Sequence, residues 1–224
     1  HDLHPSKVLE RPKVVYNKKT GKFVMWAHVE SADYSKACAG VAVSDSPVGP
    51  FVYQGSFRPN NAMSRDQTVF VDDDGRAYQF YSSENNETMY ISLLTDDYLK
   101  PSGRFTRNFV KESREAPAVF KYNGKYYLSY SDNHDENWND GVKGDNRMRY
   151  AVSDSPLGPW ESKGIYMEPT DSYTNHGSIV EFKGQWYSFY HNSALSGHDW
   201  LRSICVDKLY YNPDGTIQIV KQTK

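Results

Sequence analysis

The sequence predicts an all-β fold of the β-propeller type. Four segments share one pattern, in which a polar or acidic residue precedes a short apolar strand, a tight turn and an aromatic strand. Asp74-Gly75 and Asn123-Gly124 stand between two such strands, and these pairs favour hairpin turns that need positive φ. No stretch shows the period of an amphipathic helix. Repeats of about 40–50 residues with four strands each are typical of propeller blades.

The four repeats follow one another along the chain. Each predicted hairpin is followed by a third strand. In the first and third repeats, nearly identical segments come next, residues 44–51 and 153–160, and they predict an outer fourth strand. We therefore expect a single domain of four blades. The hairpins pair 10–16 with 23–26, 65–71 with 77–81, 115–120 with 126–130 and 176–182 with 186–190. The blades span approximately 7–60, 61–111, 112–168 and 169–224.

Composition excludes several partners. The chain has 224 residues, with 26 Lys and Arg against 28 Asp and Glu, so no basic surface predicts nucleic acid or membrane binding. No apolar run is long enough to span a bilayer. The 18 Tyr and 5 Trp suit sugar rings, although strands favour such residues in their cores as well.

We expect Cys38 and Cys205 to be buried free thiols. We also expect the chain to have been trimmed at His1, without a signal peptide.

The first residues of the inner strands are candidate functional groups. The innermost strand of a propeller blade lines the central channel, so residues at its start gather around one rim. These residues are Glu10, Asp66, Glu115 and His176. They are either solvent-facing rim charges or a ligand site. Glycoside hydrolysis uses two carboxylates that flank the scissile bond, and three carboxylates at repeated positions favour that chemistry.

The individual roles follow from the neighbours of each carboxylate. We expect Glu115 to donate the proton and Asp66 to raise its pKa, because a second carboxylate keeps an acid protonated near neutral pH. Arg65 and Arg114 either hold these carboxylates or bind substrate hydroxyls. The polar loop 132–145 does not match an EF-hand, so we expect a solvated loop in which Trp138 stacks on a sugar. Residues 191–200 form a second rim loop without a closed zinc ligand set.

The chain resembles glycoside hydrolase family 43, five-bladed propellers that cleave arabinose, xylose or galactose units with inversion. Residues 4–110 resemble the exo-β-1,3-galactanase branch. Residues 146–160, 174–182 and 199–203 are more similar to the β-xylosidase and α-L-arabinofuranosidase branches. The resemblance implies an exo-acting enzyme on plant polysaccharide side chains, with an oligo- or polysaccharide as partner. It also implies secretion or a periplasmic location.

The resemblance assigns roles to particular residues. Glu115 matches the general acid, Asp66 the pKa-modulating aspartate and Glu10 a substrate-contacting glutamate of the galactanase branch. His176 resembles a channel histidine beside a calcium ion that is bound largely through water, and no other cofactor is implied. Arg202 resembles an arginine that reaches the sugar.

One departure concerns the base that activates water. The family's usual aspartate begins a first blade, whereas these four repeats correspond to blades two to five. The galactanase branch uses an amide side chain instead, for which Gln67 and Asn175 are candidates. Because the two halves resemble different branches, we expect the chain to be either a chimera joined near residues 101–114 or a natural enzyme whose first blade lies outside it. The alternative function is an impaired or engineered propeller fragment that binds carbohydrate, self-associates or pairs with a separate first-blade fragment.

Overall fold

The protein is described by a computed structural model that covers residues 2–110, 112, 115–131 and 146–223. Two compact units divide the chain, His1–Glu112 and Ser113–Lys224. The division falls between the second and the third sequence repeat. Each unit therefore holds two of the four repeats.

The first unit contains two four-stranded antiparallel sheets with consecutive strands as neighbours. A short 3-10 turn, Pro59–Asn61, lies between them. The first sheet comprises β1 (Val8–Asn17), β2 (Lys22–Glu30), β3 (Cys38–Ser44) and β4 (Val52–Phe57). The second comprises β5 (Arg65–Val71), β6 (Ala77–Ser83), β7 (Thr88–Leu94) and β8 (Pro101–Asn108).

The second unit contains one four-stranded and one three-stranded antiparallel sheet. The third sheet comprises β9 (Glu115–Tyr122), β10 (Lys125–Ser131), β11 (Met148–Ser153) and β12 (Glu161–Met167). The fourth comprises β13 (Ser178–Phe182), β14 (Gln185–Asn192) and β15 (Ser203–Leu209). No fourth strand is present here among the described residues. The C-terminal segment instead buries Ile217 and Val220 against the core.

Each unit has its own apolar core. In the first, Trp26 is fully buried and donates its indole N–H to the backbone oxygen of Tyr98 at 2.8 Å. In the second, the ring of Tyr122 stacks on Tyr211 with centroids 3.7 Å apart. Buried aromatic rings of this size supply much of the apolar area that stabilises a sheet packing. The high aromatic content therefore serves the cores to a large extent.

The predicted all-β propeller fold is confirmed, and its hairpin turns lie where the sequence places them. Gly75 and Gly124 close two of these turns at φ 82° and 75°. Two details differ. The fourth sheet has three strands where four were expected, and Cys38 and Cys205, although free, are half-buried. No helix among the described residues is long and apolar enough to cross a membrane.

Candidate active site

Three of the four inner strands carry the same β-bulge at or near their first residue, which we call the start bulge. Its first residue pairs with the second strand of the blade, and its second residue has a left-handed backbone, so that the register shifts by one there. The first residues, Glu10, Arg65 and Glu115, pair with His28, Ser82 and Ser131. The second residues are Arg11 (φ 52°), Asp66 (φ 26°) and Ala116 (φ 53°). Such backbone costs about 1–3 kcal/mol per non-glycine residue and concentrates at functional sites.

The register corrects one sequence-based expectation. Asp66 is the counterpart of Arg11 and Ala116, whereas Arg65 is the counterpart of Glu10 and Glu115. Asp66 therefore stands one residue later than an equivalent position would require. All three strands carry the same bulge, so the bulge does not cause this offset; aligning Val69-Phe70 of β5 with Val119-Phe120 of β9 already places Arg65 opposite Glu115. In the fourth blade, His176 precedes β13, which begins at Ser178.

The start bulges of the first unit bring Glu10 and Asp66 together with a histidine. One ligand atom each of Glu10, His28 and Asp66 lies within 4.8 Å of the other two. His28 Nδ1 is 3.2 Å from Glu10 Oε2, and the Tyr34 hydroxyl donates to Glu10 Oε1 at 2.8 Å. His28, and then Tyr34, lower the pKa of Glu10 below its usual value against the opposing effect of burial. Glu10 is therefore an ionised acceptor and unsuited to act as the acid.

Charge around this cluster is partly balanced by Arg11. The buried Nε of Arg11 belongs to a guanidinium that interacts electrostatically with Asp66 and Glu10. Burial lowers the pKa of Arg11, and the two carboxylates oppose this effect. A cation already placed beside the carboxylates weakens the attraction for a metal ion. We interpret the cluster as a site for neutral hydroxyl donors.

Arg65 was expected either to hold one of the carboxylates Asp66 and Glu115 or to bind substrate hydroxyls. It lies beside a carboxylate, but that carboxylate belongs to Glu30. Arg65 Nη2 donates to the backbone oxygen of Tyr34 at 2.7 Å, and its Nε lies 3.6 Å from Glu30 Oε2. The sequence alone does not point to Glu30 and His28, because both lie in β2 and not at the start of an inner strand. The signal that finds them is the hairpin itself, since His28 pairs directly with Glu10 across β1 and β2.

Glu115 begins the third blade in the second unit. It is half-buried, and its backbone pairs with the buried Ser131. Ala116 behind it is fully enclosed, which fixes the bulge that presents the carboxylate. Arg114 and Trp138, both predicted to contribute to the site, lie outside the described residues, and so does the polar loop of residues 132–145.

His176 and Arg202 lie in the fourth blade or next to it. The rings of His176 and His191 have centroids 5.7 Å apart, and His191 Nε2 donates to the Thr174 carbonyl at 2.6 Å. Arg202 Nε donates to the Asp199 carbonyl at 2.7 Å, with its guanidinium over the exposed Trp200 ring.

The fit of calcium at His176 depends on oxygen ligands. Calcium takes six to eight of them. In the described part of the chain, the one group of three ligating side chains is that of Glu10, His28 and Asp66, and His176 is not in it. This group therefore provides no ligand at His176, and an ion held through water there stays a prediction.

The two amide side chains considered as bases are enclosed by protein. Gln67 is 1 % exposed and donates from Nε2 to the Arg11 carbonyl at 3.0 Å. Asn175 is fully buried, and its Nδ2 contacts Met167 Sδ at 3.7 Å. A base must touch the attacking water. Burial therefore argues against both residues in this role.

Comparison with known proteins finds relatives over most of the chain. The sequence profile of glycosyl hydrolases family 43 matches residues 13–217. A β-xylosidase of Xylanibacter ruminicola is 34 % identical over 222 residues, which cover 81 % of this chain and 66 % of the relative. The chain thus spans slightly less than two thirds of that relative.

Two solved structures are similar over nearly the whole chain. A family 43 β-1,3-galactosidase with galactodeoxynojirimycin is 31 % identical with a TM-score of 0.84, covering 100 % of this chain and 78 % of its own. The exo-β-1,3-galactanase of Phanerochaete chrysosporium with galactose is 32 % identical with a TM-score of 0.81. That match covers 96 % of this chain and 49 % of the galactanase.

Proposed function

The chain belongs to glycosyl hydrolase family 43, and on that premise we propose that it hydrolyses terminal galactose, xylose or arabinose units of plant polysaccharide side chains with inversion. The family predicted from the sequence is thereby confirmed. Support for galactose comes from the galactanase and galactosidase structures, and support for xylose from the Xylanibacter relative.

The observation that carries the proposal is the meeting of Glu10 and Asp66 beside His28. Two carboxylates within 4.8 Å of an imidazole are placed there by start bulges whose second residues, Arg11 and Asp66, have a left-handed backbone. Anionic oxygens are strong acceptors for sugar hydroxyls. The Tyr34 hydroxyl adds a group at the same carboxylate that both donates and accepts hydrogen bonds.

Within this proposal each carboxylate has a separate task. Glu115 donates its proton to the glycosidic oxygen as the bond to the anomeric carbon breaks. A water molecule attacks the opposite face of the sugar and loses its proton to a base, which gives the inverted product. Asp66 has the role of a charge that favours the protonated form of the acid, and Glu10 holds the sugar.

The test is release of sugar by the wild type, Glu115→Gln and Glu161→Gln. Substrates are aryl β-galactoside, β-xyloside and α-L-arabinofuranoside, together with β-1,3-galactan. Glu161 is the matched control, since it is an exposed glutamate of the same unit. Loss of a general acid lowers the rate by about 10²–10⁴-fold. Proton NMR of the first-formed anomer tests inversion.

Two outcomes contradict the proposal. One is absence of release from every substrate by the wild type. The other is a Glu115→Gln variant as active as Glu161→Gln. A first-formed anomer with retained configuration overturns the inverting course alone.

The predicted association behaviour needs a separate measurement. Self-association, or pairing with a separate first-blade fragment, stays a prediction, as does secretion or a periplasmic location. Light scattering tests the first of these. A monomeric mass at all concentrations contradicts self-association.

A further inference from the structure

Five residues of the first unit form a closed circuit of polar contacts, which we call the Glu10 ring. The members are Glu10, His28, Glu30, Tyr34 and Arg65. From Glu10, the circuit runs through the Tyr34 hydroxyl at 2.8 Å and from the Tyr34 carbonyl to Arg65 Nη2 at 2.7 Å. Arg65 Nε lies 3.6 Å from Glu30 Oε2. The circuit closes from Glu30 to His28 Nε2 at 3.8 Å and from His28 Nδ1 to Glu10 at 3.2 Å.

The ring is buried on one side and open on the other. Glu30 is fully buried and His28 is 2 % exposed, whereas the Glu10 side chain is 40 % exposed. Of the five members, Glu10 and Tyr34 therefore have the side chains that are most exposed to solvent. His28 and Glu30 cannot touch a ligand at the surface and act through Glu10.

Glu30 is fixed more firmly than a surface carboxylate. Its Oε1 accepts the backbone N–H of Ala37 at 2.5 Å and that of Ser31 at 3.2 Å. These bonds tie the carboxylate to the segment that follows β2. The second oxygen, Oε2, is left to face both His28 and Arg65.

A buried group of charges like this one lowers the free energy of unfolding if it serves the structure alone. Burying a carboxylate or an imidazole costs several kcal/mol unless partners compensate it, and apolar residues of similar volume usually serve a core as well. The acidic groups here are Glu10 and Glu30, with Asp66 adjacent. The basic groups are Arg65, Arg11 and His28. When His28 is protonated, these three positive charges balance the three carboxylates. An imidazole between two carboxylates can donate to both only in its protonated form.

We propose that His28 and Glu30 are positioning residues, which fix the orientation and the negative charge of Glu10 so that it accepts hydrogen bonds from the sugar. His28 lies between the two carboxylates, with Nδ1 3.2 Å from Glu10 Oε2 and Nε2 3.8 Å from Glu30 Oε2. The inference rests on the proposed function for the identity of the ligand. The arrangement of the ring itself does not depend on it.

The direct test is the titration of the Glu10 carboxyl by ¹³C NMR, with Glu10→Gln to assign the resonance. In the wild type, Glu10 titrates with a pKa below its usual value. In His28→Leu the pKa of Glu10 rises, because the apolar side chain neither donates nor carries charge. His28→Asn recovers part of the effect, since its amide nitrogen takes the place of Nδ1. Glu30→Gln keeps the shape and volume of the side chain. The Glu10 titration is measured in this variant if His28→Leu does not fold.

Tyr98→Phe is the matched control for loss of stability. Tyr98 is buried in the same unit, and its hydroxyl donates to the Gly75 carbonyl, away from the ring. This variant loses one buried hydrogen bond and leaves the Glu10 titration unchanged. A merely structural effect of the His28 variants would follow the same pattern as this control.

Kinetics provide the second readout. His28→Leu should raise KM by about tenfold and change kcat by less than about threefold, with partial recovery in His28→Asn. The inference is overturned if Glu10 titrates alike in wild type, His28→Leu and Tyr98→Phe, or if only kcat responds. If wild type hydrolyses no substrate while Glu10 responds to His28, the proposed function fails and the positioning of Glu10 stands.

Discussion

Replacement of Gly177 by alanine tests how tightly the protein holds the backbone beside His176. A Cβ at this position would lie 2.6 Å from the Tyr166 hydroxyl and 2.9 Å from Met148 Cε. Met148 Cε is the end of a flexible side chain and moves at low cost. The Tyr166 hydroxyl is fixed by a 2.7 Å hydrogen bond to Ser129 Oγ, and the whole side chain is buried.

The magnitude follows from these contacts. To admit the methyl group, the Tyr166 hydroxyl has to shift and lose its bond, which costs about 1–3 kcal/mol once a buried group is left unsatisfied. Overpacking of a well-filled core costs about 1–3 kcal/mol in general. We expect Gly177→Ala to lower the free energy of unfolding by about 2 kcal/mol.

Urea unfolding of a double-mutant cycle with Tyr166→Phe measures this directly. Phenylalanine lacks the hydroxyl that the new methyl meets, so Gly177→Ala should cost about 1 kcal/mol less in that background. Gly184→Ala provides a contrast, because Gly184 has φ 79° and open space where a Cβ would lie, so its cost is backbone strain, whereas Gly177 lies outside the left-handed region and its cost is the contact. Additive costs in the cycle would refute the reasoning.

Three further predictions concern the carboxylates. The pKa of Glu10 is lower in the folded chain than its usual 4.5, so ionised Glu10 adds stability above that pH, and the contribution is lost as pH falls through the folded value. Urea melts should therefore show a stability difference between wild type and Glu10→Gln that is constant near neutral pH and shrinks in acid; a difference that grows in acid contradicts the assignment. Asp66→Asn should shift the limb of the pH profile of kcat/KM that reports the acid, and an unshifted profile speaks against its modulating role. Tyr34→Phe removes the hydroxyl that donates to Glu10 and should raise KM more than it lowers kcat, which steady-state kinetics measure; an unchanged KM argues against Glu10 as a sugar contact.

The hairpins were predictable because their signals are local. Asn123-Gly124 and Asp74-Gly75 specify turns by backbone conformation, and the aromatic strands beside them follow from composition. The start bulge was not predictable, since its left-handed residues Arg11 and Ala116 are of types that rarely adopt this backbone. The offset of Asp66 has a separate cause: matching carboxylate to carboxylate pairs it with Glu10 and Glu115, whereas the strand register pairs Arg65 with them.

The buried half of the site was missed for a different reason. His28 and Glu30 lie on a second strand that reads as ordinary core sequence, and their charges become meaningful only once β1 and β2 are paired. Tyr34 follows in a loop, where its contact with Glu10 depends on the path of the chain after β2. Glu10 and Glu115, by contrast, both occupy the first position of the start bulge, which the sequence repeat marks.

The most direct test of the central claim compares kcat/KM for three amide variants of the inner-strand carboxylates on the best substrate. The variants are Glu10→Gln, Asp66→Asn and Glu115→Gln, with the exposed Glu87→Gln and Glu161→Gln as controls, one in each unit. The account predicts losses of about 10²-fold or more for Glu115→Gln, smaller losses for the other two and unchanged controls. All three variants within about threefold of the controls would contradict it.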